Sequence, residues 1–171
     1  MVGQSRNAQG HNAPMDLPGF TRASRDWFRR PVLELAPLLL GCALARTTGD
    51  GTVAVRLTEV EAYAGIVDPG SHAFRGRTAR NATMFGEPGH LYCYLSYGMH
   101  HNLNVVCDEA GVPTGCLLRA GEVIEGAALA RSRRTVRPRS TPLPEHHLAR
   151  GPGNLGQALG ASRRTDRADQ M

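Results

Sequence analysis

Residues 52–63 read "TVAVRLTEVEAY", and the reading of this run decides the fold. Side chains of a strand point to opposite faces in turn. One phase runs Val53, Val55, Leu57, Glu59, Glu61, Tyr63; the other runs Ala54, Arg56, Thr58, Val60, Ala62. The alternation predicts a strand from Thr52 to about Tyr63. Its first phase starts as an apolar stripe fit for a core and ends in two carboxylates and a phenol. Either the acids line a site, or a bulge or the strand end turns them outward.

Further strands are predicted downstream. "HLYCYLS" (90–96) and "HNLNVVC" (101–107) are joined through "YGMH", a tight connection using Gly98, and "TGCLLRA" (114–120) adds another. Upstream, "SRDWFRRPVLELAPLLLGCALART" predicts helix from about Arg25 to Ala45, interrupted near Pro31 and Pro37, with a turn at 49–51. Residues 64–89 form a long loop with one helical turn in "TARNATMF", and loops of that length inside a domain are usually functional or disordered. "GEVIEGAALARSRR" (121–134) reads as an amphipathic helix with arginines at its C-terminal end, where the dipole favours cations. A Pro-broken basic linker follows, then "GPGNLGQALG" (151–160), a short helix after a Gly-rich turn. The sum is an α+β single domain, a curved, mostly antiparallel sheet flanked by helices. Residues 1–23 are expected as a flexible arm, 24–160 as the folded domain and 161–171 as a polar tail.

The chain has 171 residues, enough for one real core. Its formal charge is +5, which favours anionic partners, nucleic acid before membrane. All 20 basic residues are arginine, so no side-chain amine can form a Schiff base. Cys42, Cys93, Cys107 and Cys116 sit singly in apolar runs without a CxxC pair, as buried thiols do. The first residues lack the apolar core of a signal peptide and no run reaches the length of a membrane span. A cytoplasmic protein without a membrane partner is the expectation.

All four tyrosines, Tyr63, Tyr92, Tyr94 and Tyr97, fall between positions 63 and 97, just after the two acids. They read equally as the lining of a pocket and as edge-strand residues with solvated hydroxyls. Glu59 and Glu61 share a strand face unless a bulge intervenes, and paired carboxylates beside an arginine suit general-base work. His72, His90, His100 and His101 invite a metal, but adjacent His100 and His101 would point apart and no HExxH or paired-cysteine spacing occurs. No metal and no cofactor is expected. "GPGNLGQALG" could cup a phosphate, though it matches no phosphate-loop pattern. The arginines at 131, 133, 134, 137 and 139 could hold phosphates or form a solvated surface.

Taken together, "EVEAYAGIVDPGSHAFRGRTARNATMFGEPGHLYCYLSYGMHHNLNVV", "CLLRAGEVIEG" and "GPGNLGQALG" strongly resemble the 3-methyladenine DNA glycosylases of the alkyladenine type. The similarity runs from about Asp26 to Gly160 in ordered, correctly spaced blocks. It implies a single-domain monofunctional enzyme that excises alkylated or deaminated purines from duplex DNA by hydrolysing the N-glycosidic bond. Glu61 matches the catalytic base, and Arg119 the arginine that helps hold the attacking water and that carboxylate. Tyr63, His72 and Tyr94 match residues that sandwich and contact the flipped base. Tyr97 matches the side chain pushed into the gap the base vacates, and Asn104 a residue that obstructs the 2-amino group of guanine. The implied partner is duplex DNA containing damaged purines, met by a monomer that is cytoplasmic and nucleoid-associated. One departure stands out. The family continues beyond "GPGNLGQALG" with structure that includes a backbone contact to the attacking water, whereas here "ASRRTDRADQM" follows, as if the C-terminus were shortened. Two other readings stay open: a non-catalytic damaged-DNA-binding protein that lost activity with that segment, and a basic RNA-binding domain.

Overall fold

Two antiparallel strands, β1 (Ala43–Thr48) and β2 (Gly51–Tyr63), open the sheet. β3 (Leu91–Ser96), β4 (His100–Cys107) and β5 (Thr114–Glu125) complete it in the order β1-β2-β5-β4-β3, and a two-residue strand, β6 (Ala149–Arg150), pairs with β5. Every pairing is antiparallel. The computed structural model describes residues 17–135 and 141–166. In these the sheet curls into a half-barrel carrying α1 (Val32–Leu39), α2 (Ala127–Arg134) and α3 (Pro152–Ala158), the α+β domain expected. Residues 1–16 of the predicted arm lie outside the described residues.

Two predicted helices are shorter than their sequence patterns. The one expected through Ala45 is a single 3-10 turn at Arg25–Phe28 followed by α1, and it stops at Leu39. Ala43–Thr48 instead pairs residue by residue with Gly51–Arg56. "GEVIE" is likewise strand, because Gly121, Glu122 and Val123 pair with Leu57, Arg56 and Val55. Local propensity is a weak prior, and cross-strand pairing overrode it in both places. Gly126 makes the switch from strand to helix: its φ is +71°, and a Cβ there would run into the Thr52 carbonyl.

One face of the sheet is the core. Val53, Val55 and Leu57 of β2, Leu91 and Cys93 of β3, Leu103 and Val105 of β4, and Cys116 and Leu118 of β5 pack with Leu35 and Leu39 of α1 and Leu155 and Ala158 of α3. The opposite face carries a second, smaller apolar cluster of Ala73, Met84, Tyr92 and Val106. Strand alternation in β3 and β4 assigns the faces directly, and the row Tyr92, Asn104, Leu117, Glu61 crosses four strands on the second face.

The question posed by β2 is settled by its pairing with β5. Leu57 pairs with Gly121, Glu59 with Ala120 and Val60 with Leu118, which leaves first Thr58 and then Arg119 without a partner. The two irregularities cancel in register, but each strand changes phase across them. On β2 the core stripe passes from Val53, Val55 and Leu57 to Val60 and Ala62. Glu59, Glu61 and Tyr63 therefore leave the core stripe, and the bulge sends them to the second face.

α3 lies close on the sheet because glycines meet it. A Cβ on Gly156 would collide with the His101 carbonyl, and one on Gly153 would stand 2.7 Å from the His100 ring. The Gly-rich motif serves this contact. The described part of the arginine run is also structural. Arg133 donates to the Ala158 carbonyl (3.2 Å) and Thr48 Oγ1 (2.7 Å), and Arg134 to the Leu148 carbonyl (3.0 Å) and Gln157 Oε1 (2.6 Å). With Arg46 on the Leu159 carbonyl (3.0 Å), guanidinium groups satisfy carbonyls at the end of α3 that have no intrahelical donor. Arg137 and Arg139 lie outside the described residues.

The segment after Gly160, read from sequence as a tail, is seated for its described length. A capping box joins Ser162 and Thr165, Thr165 is 2% exposed, and Asp166 accepts from the Cys93 backbone N–H (3.0 Å) and Thr83 Oγ1 (2.9 Å). We expect Gly156→Ala to lower the unfolding free energy by about 1–3 kcal/mol, the usual cost of overpacking, as measured by urea denaturation.

Candidate active site

The phase change gathers three charged side chains. Arg119, unpaired in the β5 ladder, donates Nε to Glu59 Oε1 (2.8 Å) and Nη1 to Glu61 Oε2. Tyr63 Oη donates to the other oxygen of Glu61, Oε1 (2.8 Å). One guanidinium thus bridges two acids that would otherwise repel, and both oxygens of Glu61 are engaged. The Glu61 side chain stays 40% exposed, within reach of water. Ion pairs as open as these contribute roughly 0–1 kcal/mol, so stability is a poor account of the arrangement. The hydrogen bonds to Glu61 and then Glu59 raise the Arg119 pKa further above its ordinary value, so it is a fixed cation.

Burial, then the bond to Glu61 and its charge, push the Tyr63 phenol up to about 12. It remains a donor throughout the neutral range. The loop beyond it is held rather than free. Asp68 accepts from the backbone N–H groups of Ala64 (3.0 Å) and Gly70 (2.9 Å), and Asn81 Nδ2 donates to the carbonyls of His72 (2.9 Å) and Gly76 (3.0 Å).

The Asn81 bonds deliver His72 to a second group of side chains on the same sheet face. The His72 ring stands 4.6 Å from Tyr94, near perpendicular, and Tyr94 stacks at 5.6 Å on Tyr92. Tyr92 is 1% exposed, and its hydroxyl lies 3.1 Å from His72 Nδ1. Of the two sequence readings for the tyrosines, solvated edge hydroxyls fail for Tyr92. Burial pushes its phenol up to about 12, so the hydroxyl stays protonated and shares one hydrogen bond with Nδ1. Burial, and after it the charge of Arg80, lowers the His72 pKa and favours the neutral ring.

Asn104 is buried between these groups, paired in register with Leu117 on one side and Tyr92 on the other. Three participants were not singled out from sequence: Asn81, Asn102 and Arg80. Asn102 donates to Tyr94 Oη (3.2 Å), and the Arg80 guanidinium lies 5.8 Å from the Tyr94 ring centre. For Asn102 a signal existed, since "NLN" puts it on the same face as Asn104. For Arg80 and Asn81, in a loop without periodicity, there was none.

Tyr97 stands apart at the hairpin tip. The Met99 N–H donates to the Ser96 carbonyl (3.0 Å), and the two central residues, Tyr97 (φ +49°) and Gly98 (φ +69°), are left-handed, as a type I′ turn requires. Asn, Asp or Gly suits the first of these positions; a tyrosine there is strained, at a cost of order 1–3 kcal/mol. It is also 92% exposed, so no packing of its ring offsets that strain.

Elsewhere, an apolar recess of about 390 Å³ runs between α1 and the turn after β2. Asp108 is the one titratable residue in its lining, so it offers little for catalysis. Among the described residues no three metal-ligating side chains gather, and no helix is long and apolar enough to cross a membrane.

Residues 26–171 match the family described as methylpurine-DNA glycosylase. The chain belongs to that family. The resemblance drawn from the sequence is thereby shown, and membership carries with it a glycosylase-type hydrolase of DNA repair with damaged DNA as substrate class. Three similar proteins, each named "Putative 3-methyladenine DNA glycosylase", come from Streptomyces avermitilis, Leifsonia xyli and Frankia casuarinae. They are 53%, 52% and 55% identical to this chain over 89%, 86% and 78% of its length. The aligned part spans 69%, 69% and 58% of theirs.

The sign of one pH effect follows from Tyr63. Its proton is held more tightly folded than unfolded, so the resulting stabilisation is complete below pH 10 and is lost as pH rises from 10 towards 12. We expect the denaturation midpoint to fall over that window more steeply in the wild type than in Tyr63→Phe; parallel curves would contradict the phenol–carboxylate bond.

Proposed function

We propose that this protein is a monofunctional purine DNA glycosylase that swings an alkylated or deaminated purine, of the 3-methyladenine class, out of duplex DNA and hydrolyses its glycosidic bond. The observation that carries the reading is the placement of Glu61: ionically held by Arg119, hydrogen-bonded by Tyr63, yet open to water.

In this mechanism Glu61 takes a proton from water as its oxygen attacks C1′, and the bond electrons leave with the purine. A methylated purine carries positive charge in the DNA and departs neutral, so it needs no acid. Arg119 orients the carboxylate and compensates its charge in a partly desolvated site. Extruding the nucleotide costs a few kcal/mol, least at a damaged pair. Stacking contributes about 1–3 kcal/mol per base, which is enough to offset that cost. Tyr63 on one side and the His72–Tyr94 pair on the other supply it, and their π-faces favour a cationic base over a neutral one. In this reading Asn104, buried beside Tyr92, obstructs the 2-amino group of an undamaged guanine.

Tyr97 fills the space the base leaves. Its exposure and its strained backbone support this role, since neither has a purpose in the folded protein alone. The absence of lysine supports a reaction that ends at hydrolysis, because a strand-cutting glycosylase works through a Schiff base on an amine. The product is an intact strand with an abasic site.

The test is release of free base from methylated duplex DNA. Glu61→Gln is expected to slow release by about 10²-fold or more while leaving affinity for the same duplex within a fewfold. Release at the wild-type rate would remove Glu61 from the role of base. Tyr97→Ser is expected to weaken lesion-duplex binding by about 5- to 150-fold, the size of one stacking interaction, while the thermal midpoint does not fall.

A further inference from the structure

Glu59 has no part in the mechanism above, although it makes one of the two bonds that fix Arg119. We propose that Glu59 is a positioning residue that keeps Arg119 on a single oxygen of Glu61. The proposal rests on the reading of Glu61 as the base.

The argument begins with what a guanidinium prefers. Next to a lone carboxylate it closes as a fork, with two parallel N–H groups on both oxygens. Such a fork on Glu61 would compete for Oε1, which accepts from Tyr63. Here Glu59 takes Nε at 2.8 Å, and only Nη1 reaches Glu61, on Oε2. The second acid divides the fork. It also restrains a long side chain on the residue of β5 left without a partner in the ladder.

Sequence position makes the arrangement specific. Glu59 and Glu61 are two apart on β2 beyond the phase change, so they share a face, and Arg119 stands across from both. Among the described residues, the Glu61 side chain is bonded by Tyr63 and Arg119, its backbone by Cys116, and Glu59 joins them through Arg119. Of these, only Glu59 is an acceptor that can draw the guanidinium away from Glu61.

The experiment compares Glu59→Ala, Glu59→Gln, Arg119→Ala and the double variant Glu59→Ala/Arg119→Ala with wild type. Base release from methylated duplex DNA is followed in single turnover at saturating protein. Misplacement of a catalytic group by an ångström can cost up to 10²-fold, so Glu59→Ala is expected to lower the rate constant by about tenfold or more, with duplex affinity within about threefold. Glu59→Gln retains an oxygen that accepts from Nε and should recover most of the rate. In the Arg119→Ala background, removal of Glu59 should change nothing further, since the two act as one unit. A full rate for Glu59→Ala, or an equal loss with and without Arg119, would overturn the proposal.

A second measurement does not depend on turnover. The Arg119 Nε–H resonance, assigned through Arg119→Ala, should be ordered in the wild type and in Glu59→Gln and broadened in Glu59→Ala. An unchanged signal would also overturn the proposal. Glu61→Gln separates the two levels of inference. If it releases base normally, the assignment of the base itself fails; if it is inactive while the Glu59 variants run at full rate, only the role of Glu59 fails.

Discussion

The paired irregularity between β2 and β5 is the constraint on which the rest of this molecule depends. A regular ladder would have continued the apolar stripe of Val53, Val55 and Leu57 straight into Glu59 and Glu61, burying two carboxylates against α1 and α3. Burying charges without matched partners costs several kcal/mol each. Skipping Thr58 on one strand and Arg119 on the other removes that conflict. Because the two offsets compensate, the sheet keeps its register beyond them and the core continues through Val60, Ala62, Leu118 and Cys116. The same step presents Arg119 to the acids it has moved. Phase and site have a single origin.

The second face illustrates how a small domain can carry two different surfaces on one sheet. Towards the helices the side chains are aliphatic and dry. On the other face, aromatic rings and amides are tied to each other by hydrogen bonds: Tyr92 to His72, Asn102 to Tyr94, Asn81 to the backbone under His72. These bonds fix ring orientation, which apolar packing does loosely. In the proposed reaction that orientation is what a flat purine would meet.

How much of this was legible in the sequence varied with the kind of signal. Strands β2 to β5 were, since their alternation is strong and tight turns bound them. β1 was hidden, because "ALART" carries helix formers and becomes a strand only through its neighbour. "GEVIE" misled for the same reason. The acids at 59 and 61 were legible as a pair, but their face was not, for a bulge leaves no mark in the order of residues. The placement of His72, Tyr94 and Arg119 came from resemblance, and the chain's own periodicity would not have joined them. The arginine run misled in another way: charge patterning gives no hint that a guanidinium will end up on the carbonyls of a neighbouring helix.

Asp166 has a consequence beyond its place in the chain. β3 is the outermost strand at one side of the sheet, and an outermost strand offers bare N–H groups to any extended segment that drifts past. One of these, on Cys93, is consumed by the Asp166 carboxylate. The border of the aromatic wall thereby offers one donor fewer for a second strand to pair with at that point.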